Sequence, residues 1–224
     1  MAKLVWDQIG ERFYETGVDH GVLYPQDNLG AYSNGVAWNG LTSVSESPSG
    51  AEPTDLYADN IKYLSIRSAE TFGATVEAYT YPDEFAVLDG SAELAEGVII
   101  GQQPRKAFGL CYRTRVGNDI QFENYGYKLH LIYGCSVSPS EKSYQTINDS
   151  PEAITFSWEM TTIPVNVTGF KPTATVILDS VALGTAKMTA IEDVLYGTTE
   201  EDPRLPLPDE VLSIINGSSD SDSN

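Results

Sequence analysis

The sequence predicts a mainly β protein: an antiparallel β-sandwich or partly closed barrel with one flanking α-helix. Three observations carry that prediction. Apolar and polar residues alternate with period two over several segments, as strands with one buried face require. Thirteen Tyr, with many Thr and Val, suit strands better than helices. Helical periodicity is confined to two short stretches.

Taken in order, weaker alternation runs through Val36–Val44, Ile61–Arg67 and Ala74–Tyr81. Stronger alternation follows: Phe108, Leu110, Tyr112 and Val116 against Gly109, Cys111, Arg113 and Arg115. From Tyr127 to Val137, one face reads Tyr127, Leu129, Leu131, Tyr133, Cys135 and Val137; the other reads Lys128, His130, Ile132, Gly134 and Ser136. Ile154, Phe156, Trp158 and Met160 alternate with Thr155, Ser157, Glu159 and Thr161, and a last weak copy covers Thr173–Asp179. Roughly eight to ten strands result. The helix is expected over 185–196, with Met188, Ile191, Val194 and Leu195 on one face, Thr185 as N-cap and Gly197 as stop. A shorter helical turn is expected from Pro82 to Leu88. There is no internal repeat.

Three segments read as arms or long loops: Ser45–Thr54, Pro139–Pro151, and the chain from Glu200 onward. The last holds seven acids and one Arg, three prolines around Leu205 and Leu207, an apolar Val211–Ile215, and a Ser/Asp tail expected to be disordered. The expected division is therefore a β-sandwich domain over 1–199 and an acidic, Pro-containing C-terminal arm over 200–224. Whether Val211–Ile215 docks on its own domain or on a neighbour is left open by the sequence.

A chain of 24.4 kDa exposes about 10,000 Å² folded against about 35,000 Å² unfolded, so its core needs neither disulfide nor metal. The formal net charge of −19 argues against a protein that grips nucleic acid or anionic lipid through its overall surface. The first residues lack the apolar core of a secretory signal, and no stretch reaches the ~20 apolar residues of a membrane span. Cys111 and Cys135 are expected as free thiols in a reducing compartment, pointing to opposite faces of their hairpin. Without secretion, the N-x-S/T matches at Asn148, Asn166 and Asn216 carry no weight.

Motifs for catalysis are missing. The chain has no G-x-S-x-G elbow, phosphate loop, dinucleotide turn, H-E-x-x-H or C-x-x-C. Its two histidines are expected to be structural: His20 in a hairpin turn, His130 on the polar face of its strand. The acid pairs Asp83/Glu84, Asp55/Asp59 and Glu192/Asp193 suit surface or helix-start placement better than glycoside hydrolysis. Asp220 and Asp222 lack the rest of a calcium loop. No catalytic, cofactor-binding or metal-ligating residue is assigned, and no enzyme activity is expected. Six of thirteen basic residues (Arg105, Lys106, Arg113, Arg115, Lys128, Lys142) fall within 105–142, while the C-terminal segment is acidic. Such separated signs suit head-to-tail association.

Several strings, in their order, carry a family resemblance. They are Glu11-Arg12-Phe13-Tyr14-Glu15-Thr16-Gly17-Val18-Asp19-His20-Gly21-Val22-Leu23-Tyr24-Pro25, Gly35-Val36-Ala37-Trp38-Asn39-Gly40-Leu41 and Leu56-Tyr57-Ala58-Asp59-Asn60-Ile61-Lys62-Tyr63. Gly73-Ala74-Thr75-Val76-Glu77-Ala78-Tyr79-Thr80-Tyr81-Pro82-Asp83-Glu84-Phe85, Tyr127-Lys128-Leu129-His130-Leu131-Ile132-Tyr133-Gly134-Cys135 and Ser150-Pro151-Glu152-Ala153-Ile154-Thr155-Phe156-Ser157-Trp158-Glu159 continue the series. Over roughly residues 6 to 215 the chain resembles the major tail protein (tail tube protein) of long-tailed, non-contractile bacteriophages, the siphophages, of Gram-positive hosts.

The resemblance implies a structural virion protein with a tail-tube-like fold, made in the host cytoplasm. It would polymerise as stacked hexameric rings into the tail tube, the conduit for genome delivery. It further implies as partners the tape measure protein, the tail terminator and the distal tail or baseplate proteins, with DNA passing unbound and no membrane involved. An acidic lumen would repel phosphates within a Debye length of about 8–10 Å. The alternatives are a sugar-binding or adhesion β-sandwich, suggested by the many Tyr and Trp, and an acid-pair hydrolase on a β scaffold.

Overall fold

The computed structural model describes residues 3–147, 149 and 153–217. Its strands are β1 (Tyr14–Pro25), β2 (Val36–Trp38), β3 (Leu41–Glu46), β4 (Ser49–Gly50), β5 (Pro53–Ala58), β6 (Ile61–Arg67), β7 (Glu70–Thr71) and β8 (Gly73–Ala78). They continue with β9 (Ala92–Ala95), β10 (Val98–Ile100), β11 (Phe108–Asn118), β12 (Phe122–Val137), β13 (Phe156–Thr162) and β14 (Thr175–Asp179). The helices are α1 (Asp83–Leu88), α2 (Ser180–Leu183), α3 (Thr185–Tyr196) and α4 (Pro208–Gly217). The protein is mainly β and antiparallel, as its alternation dictates.

One large sheet runs β2-β1-β11-β12-β13-β8-β3. The long β12 serves two partners on one side: Lys128–Ile132 pairs with β14, and Cys135–Val137 pairs with β13. Gly134 makes that switch. It adopts φ +60, and a Cβ there would lie 2.2 Å from the Ile163 carbonyl oxygen, so only glycine fits. The ladder to β11 slips at the same place, with Leu110 opposite Ile132 but Phe108 opposite Cys135. This bulge corrects the single alternating face expected for 127–137: Leu131 and Tyr133 enter one core, whereas Cys135 and Val137 enter the other.

The sheet curls until its ends approach. Trp38 Nε1 donates to the Thr80 carbonyl at 2.9 Å, and Gly21 leaves room for the Leu41 side chain, which a Cβ would meet at 2.4 Å. Inside the curl lies the first core, with Leu23, Phe108, Leu110, Ile132 and Met160 around an aromatic cluster. Trp38 stands 4.5 Å from Phe85 and 5.6 Å from Trp158, ring centre to ring centre. Ile132, expected on a polar face where a neighbour would cover it, belongs to this core instead.

The second core lies on the opposite face of the sheet, under the helices. Tyr24, Cys111, Leu129, Leu131 and Tyr133 meet Met188, Ile191 and Leu195 of α3, with Leu205, Val211 and Ile215 beyond it. Hence β11 and β12 are buried on both faces, and the stretches 108–112 and 129–133 must be apolar throughout. Cys111 and Cys135 sit in different cores as free thiols, each pushed up by burial.

The helices differ in detail from expectation. Gly184, not Thr185, precedes α3, and Gly197 ends it with φ 77. Asp179 caps α2 through the backbone N–H groups of Val181 and Ala182. The segment after Glu200 contains a second substantial helix, α4, which a one-helix reading omits. Its signals are Pro208 at the first position, Asp209 and Glu210 in the first turn, and buried Val211 and Ile215 at i, i+4. It packs on its own domain. Of the expected loop Pro139–Pro151, residues 139–147 carry no regular structure. The Ser/Asp tail, with Asp220 and Asp222, lies outside the described residues, as does Asn148.

Candidate assembly surfaces

The chain exposes 14768 Å², against about 10,000 Å² for a compact chain of this mass. Much of the excess comes from three extensions of the curled sheet.

The largest is a ribbon that continues β3 and β8 outward through β4, β5, β6 and β7. The sequence predicts a turn-rich loop at 45–54; the structure instead makes most of it strand. β4 pairs with β7 and β5 with β6, in register from Pro53–Arg67 to Ala58–Ile61. Asp59 and Asn60 turn the ribbon with φ 53 and 65, the two left-handed residues of a tight hairpin. Because Ser and Pro dominate 45–54, local composition hides a pairing made with residues some twenty positions later. Every residue of β5 and β6 is exposed, including Leu56, Tyr57, Ile61, Tyr63, Leu64 and Ile66. An isolated two-stranded ribbon is marginal in water. Asp55 pairs with Lys62 at 2.7 Å, and that hydrogen bond, with another from Ser65, lowers its carboxyl.

A second ribbon, β9 with β10, exposes Leu94, Val98, Ile99 and Ile100. The third extension is the N-terminal segment, with Leu4, Val5, Trp6, Ile9 and Phe13 exposed. It is fastened at Gly10, whose N–H donates to the Asp119 carboxylate at 3.0 Å and whose carbonyl accepts from Asn118 Nδ2 at 3.2 Å.

At the root of the large ribbon, Glu46 accepts from the Tyr112 hydroxyl at 2.6 Å. His130 stacks on Tyr112 with ring centres 4.6 Å apart. Its Nε2 lies 3.0 Å from Thr114 Oγ1 and its Nδ1 3.4 Å from Glu46. It is only 8 % exposed, which corrects the expected placement on a polar face. Burial lowers its imidazole below the usual range, against the opposing pull of Glu46 and Glu15. His20 also departs from expectation. It lies within β1, not in a hairpin turn, at φ 51 between two irregularities of the β1–β11 ladder.

The basic strip dissolves into local pairs. Arg113 holds Asp19 through two hydrogen bonds of 2.7 and 3.0 Å, and Arg115 reaches Asp19 and Glu123. Lys128 pairs with Glu15 and Lys142 with Asp89. Only Arg105 and Lys106 of the six make no ion pair among the described residues, so a continuous positive face is absent there. The Arg113 hydrogen bond is the main cause holding Asp19 at about 2.

The acid pairs scatter likewise. Asp83 and Glu84 occupy the first turn of α1, Asp55 and Asp59 lie on the ribbon, and Glu192 and Asp193 lie on α3. Among the described residues no group of three or more His, Cys, Asp or Glu could hold a metal ion.

No family model matches the chain, and no curated protein matches it. Among solved structures it is similar to one chain of the sheath–tube complex of an extracellular contractile injection system, PVC, in the extended state. The identity is 10 %, the TM-score 0.33, and the match covers 78 % of this chain and 93 % of that one. A similarity so loose assigns neither family nor role.

Proposed function

We propose that this protein is a structural subunit that polymerises with its own copies into stacked rings. As its sequence resemblance implies, these would be the hexameric rings of a siphophage tail tube through which the genome passes. The observation that supports this reading is the ribbon at 47–72. A two-stranded hairpin with six large apolar or aromatic side chains in water needs a partner surface. Three such extensions on one chain fit an obligate assembly, whose interfaces commonly bury 2,000 Å² or more. The virion as final location, and a tape measure, terminator and distal tail proteins as further partners, belong to the same proposal. So do the absence of enzyme activity and a share of the −19 facing the channel.

The sugar-binding alternative is weakened by where the tryptophans sit. Trp38 and Trp158 are core residues and Trp6 stands alone at 74 % exposure, so no indole platform forms.

Negative-stain electron microscopy and light scattering across concentration and salt test the proposal. Rings or hollow tubes are expected, with growth favoured as salt screens the charge. A monomer under every condition, coupled with glycan binding, overturns it.

A further inference from the structure

We propose that a trough beside β14 receives the segment Leu4–Ile9 of a second copy as an added strand. This rests on the assembly reading above and names one contact within it.

The trough holds about 460 Å³ and is lined by Val167, Ile177, Leu183, Val211, Leu212 and Ile215. Ile177 and Leu212 are half exposed, at 51 % and 50 %, although the surrounding shell of α4 is well packed. β14 hydrogen-bonds to β12 alone, so its outer edge is open to another extended chain. An open strand edge beside apolar pockets is the arrangement that strand addition uses, with backbone pairing for affinity and alternate side chains for specificity.

The segment fits on three counts. Residues 4–6 have no strand partner in their own chain and expose apolar groups on both sides, Leu4 and Trp6 opposite Val5. The trough is likewise two-sided, since Ile177 and its neighbour Leu178 lie on opposite faces of β14 and both line it. Charge agrees too: Lys3 precedes the segment, while Asp179 lines the trough and Asp209 begins α4 above it. In its own chain the segment is held off the trough. Gly10 is fastened to Asp119 at the β11–β12 turn, and residues 4–9 are exposed. Because segment and trough are different surfaces, the contact is head-to-tail, and repeated application gives a ring if the rotation closes.

Cysteine cross-linking of the full chain tests this. The native thiols, Cys111 and Cys135, are buried and do not compete. Val5→Cys chains are mixed with Leu212→Cys chains, oxidised, and the disulfide is identified by mass spectrometry of the joined peptides. The expected yield exceeds that of a Leu29→Cys and Leu212→Cys control by at least about tenfold, and Ile177→Asp in the acceptor chain abolishes the excess while leaving the thermal melt unchanged. Assembled samples linking no better than the control overturn the inference but leave the assembly reading intact. Preferential linking of Tyr63→Cys to Leu212→Cys, which puts the ribbon in the trough, also overturns it. So does a link formed within single chains carrying both Val5→Cys and Leu212→Cys. Neither assembly nor linking overturns both.

Discussion

The hydroxyl of Tyr24 donates to the carbonyl of Leu195 at 2.6 Å, across 171 residues of sequence. It joins the fully buried β1 to the last turn of α3, where helix carbonyls lack intrahelical donors. Tyr133 repeats the device on the next turn of chain, donating to the Pro206 carbonyl at 2.9 Å. Tyr32 accepts the N–H of Gly134 at 2.9 Å. Three tyrosines thus bolt the helical layer to the sheet.

Replacing Tyr24 by Phe should cost about 1–3 kcal/mol, because the Leu195 carbonyl is left buried without a donor. For a chain of this length that lowers Tm by roughly 2–4 °C per kcal/mol. Equal melting of wild type and Tyr24→Phe by calorimetry would refute the assignment.

The C-terminal segment should prove part of the fold. Removing residues 200–224 was expected to leave a folded monomer, but Leu205, Val211 and Ile215 fill the second core. Leu205→Ala should cost about 2–5 kcal/mol, and the truncation more. Urea unfolding measures both, and exposure of Cys111 to a thiol reagent reports loss of the same core.

Gly134→Ala should be among the most damaging single changes in the chain. It combines a left-handed backbone with a 2.2 Å approach to the Ile163 carbonyl, for a loss of roughly 2–5 kcal/mol. Gly97→Ala, with φ 76 but nothing within 4 Å, should lose only about 1 kcal/mol. Comparing their denaturation midpoints separates strain from collision.

Two groups should give the fold separate acid dependences. Asp19 has its pKa depressed to about 2. Its contribution is present above the unfolded value near 3.8 and is lost as pH falls through the interval toward 2. His130 is also depressed, so the unfolded chain takes up that proton first. Its contribution is present above the usual 6.5 and is lost as pH falls below it. The charged or titrating groups facing it are Glu46 from β3, Tyr112 from β11, Glu15 from β1 and Lys128 beside it on β12. Stability curves of Asp19→Asn and His130→Gln should flatten in the lower and upper window respectively. An unchanged upper slope in His130→Gln would remove His130 as its source.

The ribbon should matter to assembly and not to folding. Leu56→Asp with Ile66→Asp alters exposed positions, so the melt should stay within about 0.5 kcal/mol of wild type. Sedimentation should then show assembly abolished. Normal polymerisation of that variant would remove the ribbon from the interface.

Period-two alternation was enough to establish the mainly β class, most of the strands of the curled sheet, and the helix at 185–196, because each depends on neighbours two to four residues away. The N-terminal half of α4 was also written locally, in Pro208, Asp209 and Glu210. What the tertiary structure alone decided depends on partners far along the chain. The bulge at Gly134 moves Cys135 to the other core, since β12 must serve β14 and β13 in turn. His130 is buried by Tyr112 and Glu46, the basic strip is neutralised by Asp19, Glu15 and Asp89, and the loop at 45–54 becomes a ribbon through pairing with 65–71. Alternation reports that a strand has a buried face; which residues bury it, and where it changes sides, is set by the packing of segments a hundred residues apart.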